Sequence, residues 1–329
     1  MILDIIKRNS VFTLSLILTF VVVQLMLFTG ILNDYYMSAI VLICINIILG
    51  VSLNLVVGFT GQFSLGHAGF MSVGAYVCAI INMQMDSTAG FLLGIFAGAV
   101  IAALVGVLIG IPTLRLRGDY LAIATLGTAE IIRILFLNLD ITNGAVGLNG
   151  IPQYTNWPWL FIFTALTIIC IRNFINSSHG RTCISIREDE IAAESMGINT
   201  TKYKVMAFAI GAFFAGIAGG LYASYFYFLK PDIFGFMKSI DILVIVVLGG
   251  LGSISGSIIA GIFLAIVTTY LQQFAAVRMI IYSLVLIIVM IFRPQGLMGN
   301  KEFSMKFFKS FGKKENSWLA RKRNAKIKS

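Results

Sequence analysis

Ile240-Asp-Ile-Leu-Val-Ile-Val-Val-Leu-Gly249-Gly-Leu-Gly252-Ser-Ile-Ser-Gly256-Ser-Ile-Ile-Ala-Gly261, continuing apolar to Gln272, is the stretch on which the architecture turns. It reads either as one long helix or as two short ones, 240–251 and 255–272, parted at Gly249, Gly250, Gly252 and Gly256. Each glycine in a helix interior costs about 1 kcal/mol relative to alanine, so a cluster of them favours a break. The choice sets the parity of the chain, because its charged flanks must lie on defined sides of a bilayer. The first piece is short, and either stays a half-helix or begins earlier with Lys238 reaching back toward water.

Outward from this stretch, apolar runs recur at 11–31, 37–57, 63–83, 89–113, 119–138, 157–172, 205–228 and 277–292. Most approach the ~20 residues that cross a hydrocarbon layer as a helix. Hydrophobic residues make up 58% of the 329 and charged ones only 12%, with a mean hydropathy of +0.94. A soluble domain carries about 25% charged residues. Lipid offers the backbone no partners, so such segments satisfy their N–H and C=O groups within helices. The expectation is an all-α integral membrane protein of about ten transmembrane helices.

Charge placement supports ten rather than nine. With both termini cytoplasmic, Lys7, Arg8, Arg115, Arg117, Arg172, Arg181, Arg187, Lys202, Lys204 and Arg293 fall inside, against Lys230, Lys238 and Arg278 outside. This is the bias expected of cytoplasmic loops. Residues 1–299 read as one transmembrane domain with a cytoplasmic loop at 172–204. Residues 300–329 read as a separate basic cytoplasmic tail, holding most of the net charge of +10. A basic tail after the last apolar run suits anionic lipid headgroups and argues against nucleic acid as a partner. Lys7 and Arg8 precede a run long enough to remain a span, so no cleaved signal is expected.

The chemistry-bearing residues are few. Cys44, Cys78, Cys170 and Cys183 are scattered, without CxxC spacing, and His67 and His179 are the two histidines. No metal site, disulfide framework or catalytic residue is expected. No GxxxxGK[ST] phosphate loop occurs, so this chain is not expected to hydrolyse ATP. Two glycine-dense breaks, Gly58-Phe-Thr-Gly61-Gln-Phe-Ser64-Leu-Gly66-His67 and Gly249-Gly-Leu-Gly252-Ser253, lie in opposite halves. Such breaks mark either a solute path or close packing by small residues. Gly61, Ser64, His67, Gly249, Gly252 and Ser253 are therefore candidates for a translocation path. Glu130 and Arg133 join them, because they share a helix face at i, i+3 and charge within a span is functional by default. A structural ion pair is the alternative. Asp119 and Asp241 read as residues capping helix starts. The outer loop 139–156 reads as flexible, and as a candidate surface for an external partner.

Arg187-Glu188-Asp189-Glu190-Ile-Ala192-Ala193-Glu-Ser-Met-Gly197 reads as one short helix stopped by glycine, with its acids at the favourable end of the dipole. It either docks a soluble partner or is an ordinary solvated loop. Ala192-Ala193 and Gly197, following Glu190, resemble the loop by which ABC importer permeases engage their ATPases, although Ile191 stands where that loop usually has glutamate. Asn54-Leu-Val-Val-Gly58, Gly61-Gln-Phe-Ser-Leu-Gly-His-Ala-Gly-Phe70, Leu114-Arg-Leu-Arg-Gly-Asp-Tyr-Leu-Ala, Glu130-Ile-Ile-Arg133, Ile186-Arg-Glu-Asp-Glu, Leu248-Gly-Gly-Leu-Gly-Ser253 and Phe292-Arg-Pro-Gln-Gly-Leu297 resemble LivM-type permeases of branched-chain amino acid ABC transporters. The resemblance spans about residues 37–299.

It implies a type II-like ABC importer permease fold in a prokaryotic inner or plasma membrane. It also implies a second, LivH-like permease subunit, two ABC ATPase subunits that use ATP and Mg, and an extracytoplasmic solute-binding protein. This chain itself would bind no cofactor. Permeases for urea or short amides share the pattern, and an ion-coupled secondary transporter is the rival from another class.

Overall fold

The computed structural model describes residues 18–30, 33–116 and 118–270, with positions 283, 284, 287, 291 and 296 beyond them. Lys7, Arg8, Arg117, Arg278, Arg293, most of the run 277–292 and the tail 300–329 lie outside the described residues. The elements in chain order are α1 (Leu18–Phe28), α2 (Asp34–Asn54), α3 (His67–Gln84), α4 (Thr88–Thr113), α5 (Asp119–Asn138), strand β1 (Leu148–Asn149) and α6 (Trp157–Asn176). They are followed by α7 (Ser178–Glu188), α8 (Glu190–Ser195), α9 (Thr200–Phe226), strand β2 (Phe228–Leu229), α10 (Phe236–Gly249) and α11 (Ile254–Tyr270). A π-helical turn, Leu55–Phe59, prolongs α2.

Among the described residues, five helices are long and apolar enough to cross a membrane: Asp34–Phe59, Thr88–Thr113, Asp119–Asn138, Trp157–Asn176 and Thr200–Phe226. The core forms where α3, α4 and α9 meet through glycine. A Cβ at Gly98 would stand 2.7 Å from the Gly74 carbonyl oxygen, and one at Gly216 would stand 2.9 Å from Ala99 Cα. Small residues allow this approach, and the close van der Waals packing it gives helps to hold helices together in lipid. α1 lies against α6, with Phe20 stacked on Trp157 at 6.2 Å.

Within the described part of the stretch 240–272, up to residue 270, the chain is broken in two. Gly252 takes φ +81°, a left-handed conformation that glycine adopts without steric cost, and α11 restarts at Ile254. α10 begins at Phe236, so Lys238 belongs to its first turn and Asp241 lies one turn further in. The capping role expected of Asp241 is therefore wrong. Asp119 is likewise inside the first turn of α5, behind Gly118, where it meets the helix dipole rather than capping.

The outer loop differs from its expectation too. β1 pairs antiparallel with β2, Leu148 opposite Leu229. The Tyr154 hydroxyl donates to Asp86 Oδ1 at 2.7 Å, and Asn82 Nδ2 donates to the Pro152 carbonyl at 3.1 Å. Glycine-rich composition suggested flexibility, but these distant partners pin the segment. Its hydrogen bond to Asp86 raises the Tyr154 pKa, with burial and the carboxylate's charge adding to the effect.

Candidate functional site

The loop 172–204 holds two helices where one was expected over 187–197. Asp189 is extended and interrupts them. Its carboxylate accepts from the amides of Ile191 (2.9 Å) and Ala192 (3.0 Å), capping α8. Arg187 and Glu188 thereby close α7, while Glu190 opens α8. Glu190 Oε1 accepts from Lys204 Nζ of α9 at 2.6 Å. At the far end, Ile198 N–H donates to the Ala193 carbonyl at 3.1 Å and Gly197 N–H to that of Glu194 at 2.9 Å. Gly197 has φ +82°. These are the two bonds of a Schellman stop.

The six residues of α8 are thus fixed at both ends. Ala193 faces inward, 5% exposed, while Ile191 and Met196 are 67% and 83% exposed. Ala192 is exposed as well. The helix offers a small apolar face that nothing among the described residues covers. Beside it, burial pushes the Cys183 thiol of α7 up to about 11, which makes it an inert packing group.

Arg187 ties this helix pair to both glycine breaks. Its Nη1 donates to the Gly58 carbonyl at 2.8 Å, and its other edge pairs with Glu188. A Cβ at Gly61 would stand 3.0 Å from Arg187 Cγ, and a Cβ at Gly252 would stand 3.0 Å from Arg187 Nη1. The two breaks, distant in sequence, therefore meet under one guanidinium. Asn54 joins them from below. Its Oδ1 accepts from Gly252 N–H at 2.9 Å, and its Nδ2 donates to the Ser253 carbonyl (2.9 Å) and Ser257 Oγ (2.8 Å). The buried amide thus supplies helix-like partners to a segment that has left the helix.

The other candidates divide. Gly61, Gly249, Gly252 and Ser253 belong to this junction. Gly249 abuts Gly256, since a Cβ on it would stand 2.6 Å from the Gly256 carbonyl carbon. Ser64 is buried beside the junction and accepts from the Gly66 amide at 3.3 Å. His67 is buried and bonds through Nε2 to Ser52 Oγ at 2.8 Å. The Ser52 hydroxyl also lies 3.1 Å from the Leu49 carbonyl of its own helix. That is the geometry of a packing histidine between α2 and α3.

Glu130 and Arg133 lie elsewhere, in a cavity of about 490 Å³ between α5, the turn Pro231–Phe234 and the start of α10. Arg133 Nε donates to Glu130 Oε2 at 2.6 Å and Nη1 to Asp232 Oδ1 at 3.2 Å. The expected pair is therefore a triad, with Lys238 and Asp241 also lining the cavity. Among the described residues, no group of three or more His, Cys, Asp or Glu could hold a metal.

Asn54, Lys204 and Asp232 were missed as site residues. Asn54 carried a signal, a lone amide within Leu49-Gly-Val-Ser-Leu-Asn54-Leu-Val-Val. Asp232 carried none, because its partner is 99 residues away. Gln62, inside the first break, is 2% exposed, and its side-chain amide has no partner among the described residues.

Helices of membrane-crossing length and hydropathy, packed through glycine around two facing breaks, define a polytopic membrane protein of the transporter kind. The chain belongs to the family described as branched-chain amino acid transport system / permease component, whose model matches residues 35–292. It is 35% identical over 289 residues to the high-affinity branched-chain amino acid transport system permease protein LivM of Salmonella typhimurium, covering 77% of this chain and 68% of that one. It is 28% identical over 264 residues to the LivH permease protein of Escherichia coli K12, covering 72% and 85%. The solved structure of PsaBC from Streptococcus pneumoniae in complex with Fab aligns at a TM-score of 0.45 and 12% identity, over 78% of this chain and 91% of that chain. A likeness so distant does not define the fold.

Proposed function

We propose that this chain is one membrane-spanning subunit of an ATP-driven importer that carries leucine, isoleucine and valine into the cell. Family membership supports the substrate class. Similarity to both LivM and LivH supports a paired permease, with a LivH-like partner beside this chain. The subunit is not an enzyme. ATP and Mg are used by two ATPase subunits beneath it, and an extracytoplasmic binding protein delivers solute above. Residues 1–299 form the permease domain, with ten spans, both termini cytoplasmic and a type II-like ABC importer arrangement in the inner or plasma membrane. Residues 300–329, outside the described residues, are a basic cytoplasmic tail in this reading.

One observation carries the coupling mechanism: Arg187, at the end of α7, is bonded to Gly58 and lies over Gly61 and Gly252. The ATPases engage α8 through Ile191, Ala192 and Met196. The caps at Asp189 and Gly197 and the Lys204–Glu190 pair make α8 a firm handle rather than a loose loop. Its displacement reaches both breaks through Arg187, where the helices are interrupted and bend most readily. Nucleotide then shifts the chain between outward- and inward-open states by binding one of them better.

The test is uptake of labelled leucine by cells with and without the gene, with competition by isoleucine, valine and urea. Deletion abolishes uptake, the aliphatic amino acids compete, and ionophore leaves uptake intact while ATP lasts. Competition by urea alone would assign another solute. Loss under ionophore with ATP intact would assign a secondary transporter.

A further inference from the structure

We propose that the cavity between α5, the turn Pro231–Phe234 and the start of α10 receives the zwitterionic head of an α-amino acid during transport. This rests on the importer reading and adds a place for the solute within this chain. The pocket is open to the surface, and its volume of about 490 Å³ leaves room for an α-amino acid. Charges of both signs line it: Glu130, Asp232 and Asp241 against Arg133 and Lys238. A metal site would need carboxylates without the cations, and an anion site the reverse. The mixture fits a ligand that carries an ammonium and a carboxylate on adjacent atoms.

Partner exchange provides the binding chemistry. Arg133 is held by Glu130 at 2.6 Å and by Asp232 at 3.2 Å, and its side chain is 25% exposed. The fork is therefore occupied yet within reach of a solute. An entering α-carboxylate takes the planar guanidinium, which suits a two-oxygen partner. The α-ammonium takes the carboxylates that Arg133 gives up. Ion pairs are replaced by ion pairs, so no charge in the site is left without a partner. Phe236 and Met237, 43% and 57% exposed, offer the apolar cover for an aliphatic side chain. Urea, which has neither charge, can make no such exchange.

The position of the cavity suits transport. α10 is a single 14-residue rod, about 21 Å long. Its first turns line the cavity, and its last residue abuts the junction held by Asn54 and Arg187. Bending at that junction changes the cavity through one stiff element.

The experiment uses the assembled importer in proteoliposomes, with Cys170→Ser and Met237→Cys, and follows maleimide labelling of the introduced thiol. Leucine is expected to slow labelling in a concentration-dependent way. Analogues lacking one charge, 3-methylbutylamine and 4-methylpentanoate, should need concentrations at least about tenfold higher, the weight of one charge-assisted bond. Urea should not protect. Adding Arg133→Gln should erase the advantage of leucine over 3-methylbutylamine. If that variant fails to assemble, the analogue series on the Arg133 chain decides alone. Labelling indifferent to leucine, in an importer that still takes up leucine, overturns the site and leaves the importer reading standing. Equal protection by leucine and 3-methylbutylamine overturns the zwitterion assignment. Absence of leucine uptake in the unsubstituted importer overturns the importer reading, and the site with it.

Discussion

Replacing Asn54 with alanine should loosen the second glycine break more than any other single side-chain truncation near it. The amide makes three bonds: from Gly252 N–H at 2.9 Å, to the Ser253 carbonyl at 2.9 Å and to Ser257 Oγ at 2.8 Å. After truncation the Ser253 carbonyl keeps the Ser257 hydroxyl, 3.2 Å away, so it is not orphaned. Gly252 N–H loses its side-chain acceptor in a half-buried position, and a void opens where the fully buried amide stood. One stranded donor and the void together cost about 2–4 kcal/mol. Hydrogen exchange of the purified permease reads this directly. Peptides covering 250–257 should exchange about 30- to 900-fold faster, the ratio that this free energy implies for local opening. Ser257→Ala removes the hydroxyl's bonds to Asn54 and to the Ser253 carbonyl, but each of these groups keeps another partner, so the same peptides should accelerate only about fivefold. Unchanged exchange in Asn54→Ala would refute the view that this amide holds the break.

Gly197→Val forces a β-branched residue into φ +82° with no neighbour to clash, so strain alone costs about 1–2 kcal/mol. The chain should still insert, while leucine uptake is lost as α8 frays; normal uptake would remove α8 from the coupling route. Ala192→Glu adds charge to the exposed face of α8 and should weaken ATPase co-purification while leaving the thermal stability of the permease within about 0.5 kcal/mol. Undiminished co-purification would place docking elsewhere. Cys183, whose thiol is pushed up to about 11, gains thiolate only as pH nears that value and should resist maleimide in the folded chain at pH 8. Labelling as fast as in denaturant would show that α7 does not stay packed on α9, where the Cys183 thiol meets the Tyr203 carbonyl at 3.9 Å.

Where hydrophobicity and glycine speak locally, the sequence was readable. The run 119–138 coincides with α5, and the cluster at 249–256 divides α10 from α11. Both are decided by composition within a few turns. Asp189 was misread because Asp and Glu are common both in first turns and at caps, and only its extended backbone tells the two apart. The outer loop was misjudged because its order comes from β2, Leu221 and Asp86, which its own composition cannot reveal. The candidate site was half legible. Gly61, Gly252 and Arg187 were each marked, but that one side chain touches all of them is a fact of three dimensions. Asp232 shows the same limit, since it completes the Glu130–Arg133 pair from another element.

The most direct test follows Arg187→Ala in proteoliposomes that contain the assembled importer, measuring ATP hydrolysis and leucine uptake together. The bond to Gly58, charge-assisted and 29% exposed at the arginine, corresponds after solvent screening to about 1–2 kcal/mol, or a loss of about 5- to 30-fold in uptake per ATP hydrolysed. ATPase association and hydrolysis should persist, because α8 itself is untouched. Uptake per ATP equal to that of the unsubstituted importer would contradict a route from the cytoplasmic helices to the glycine breaks through this residue.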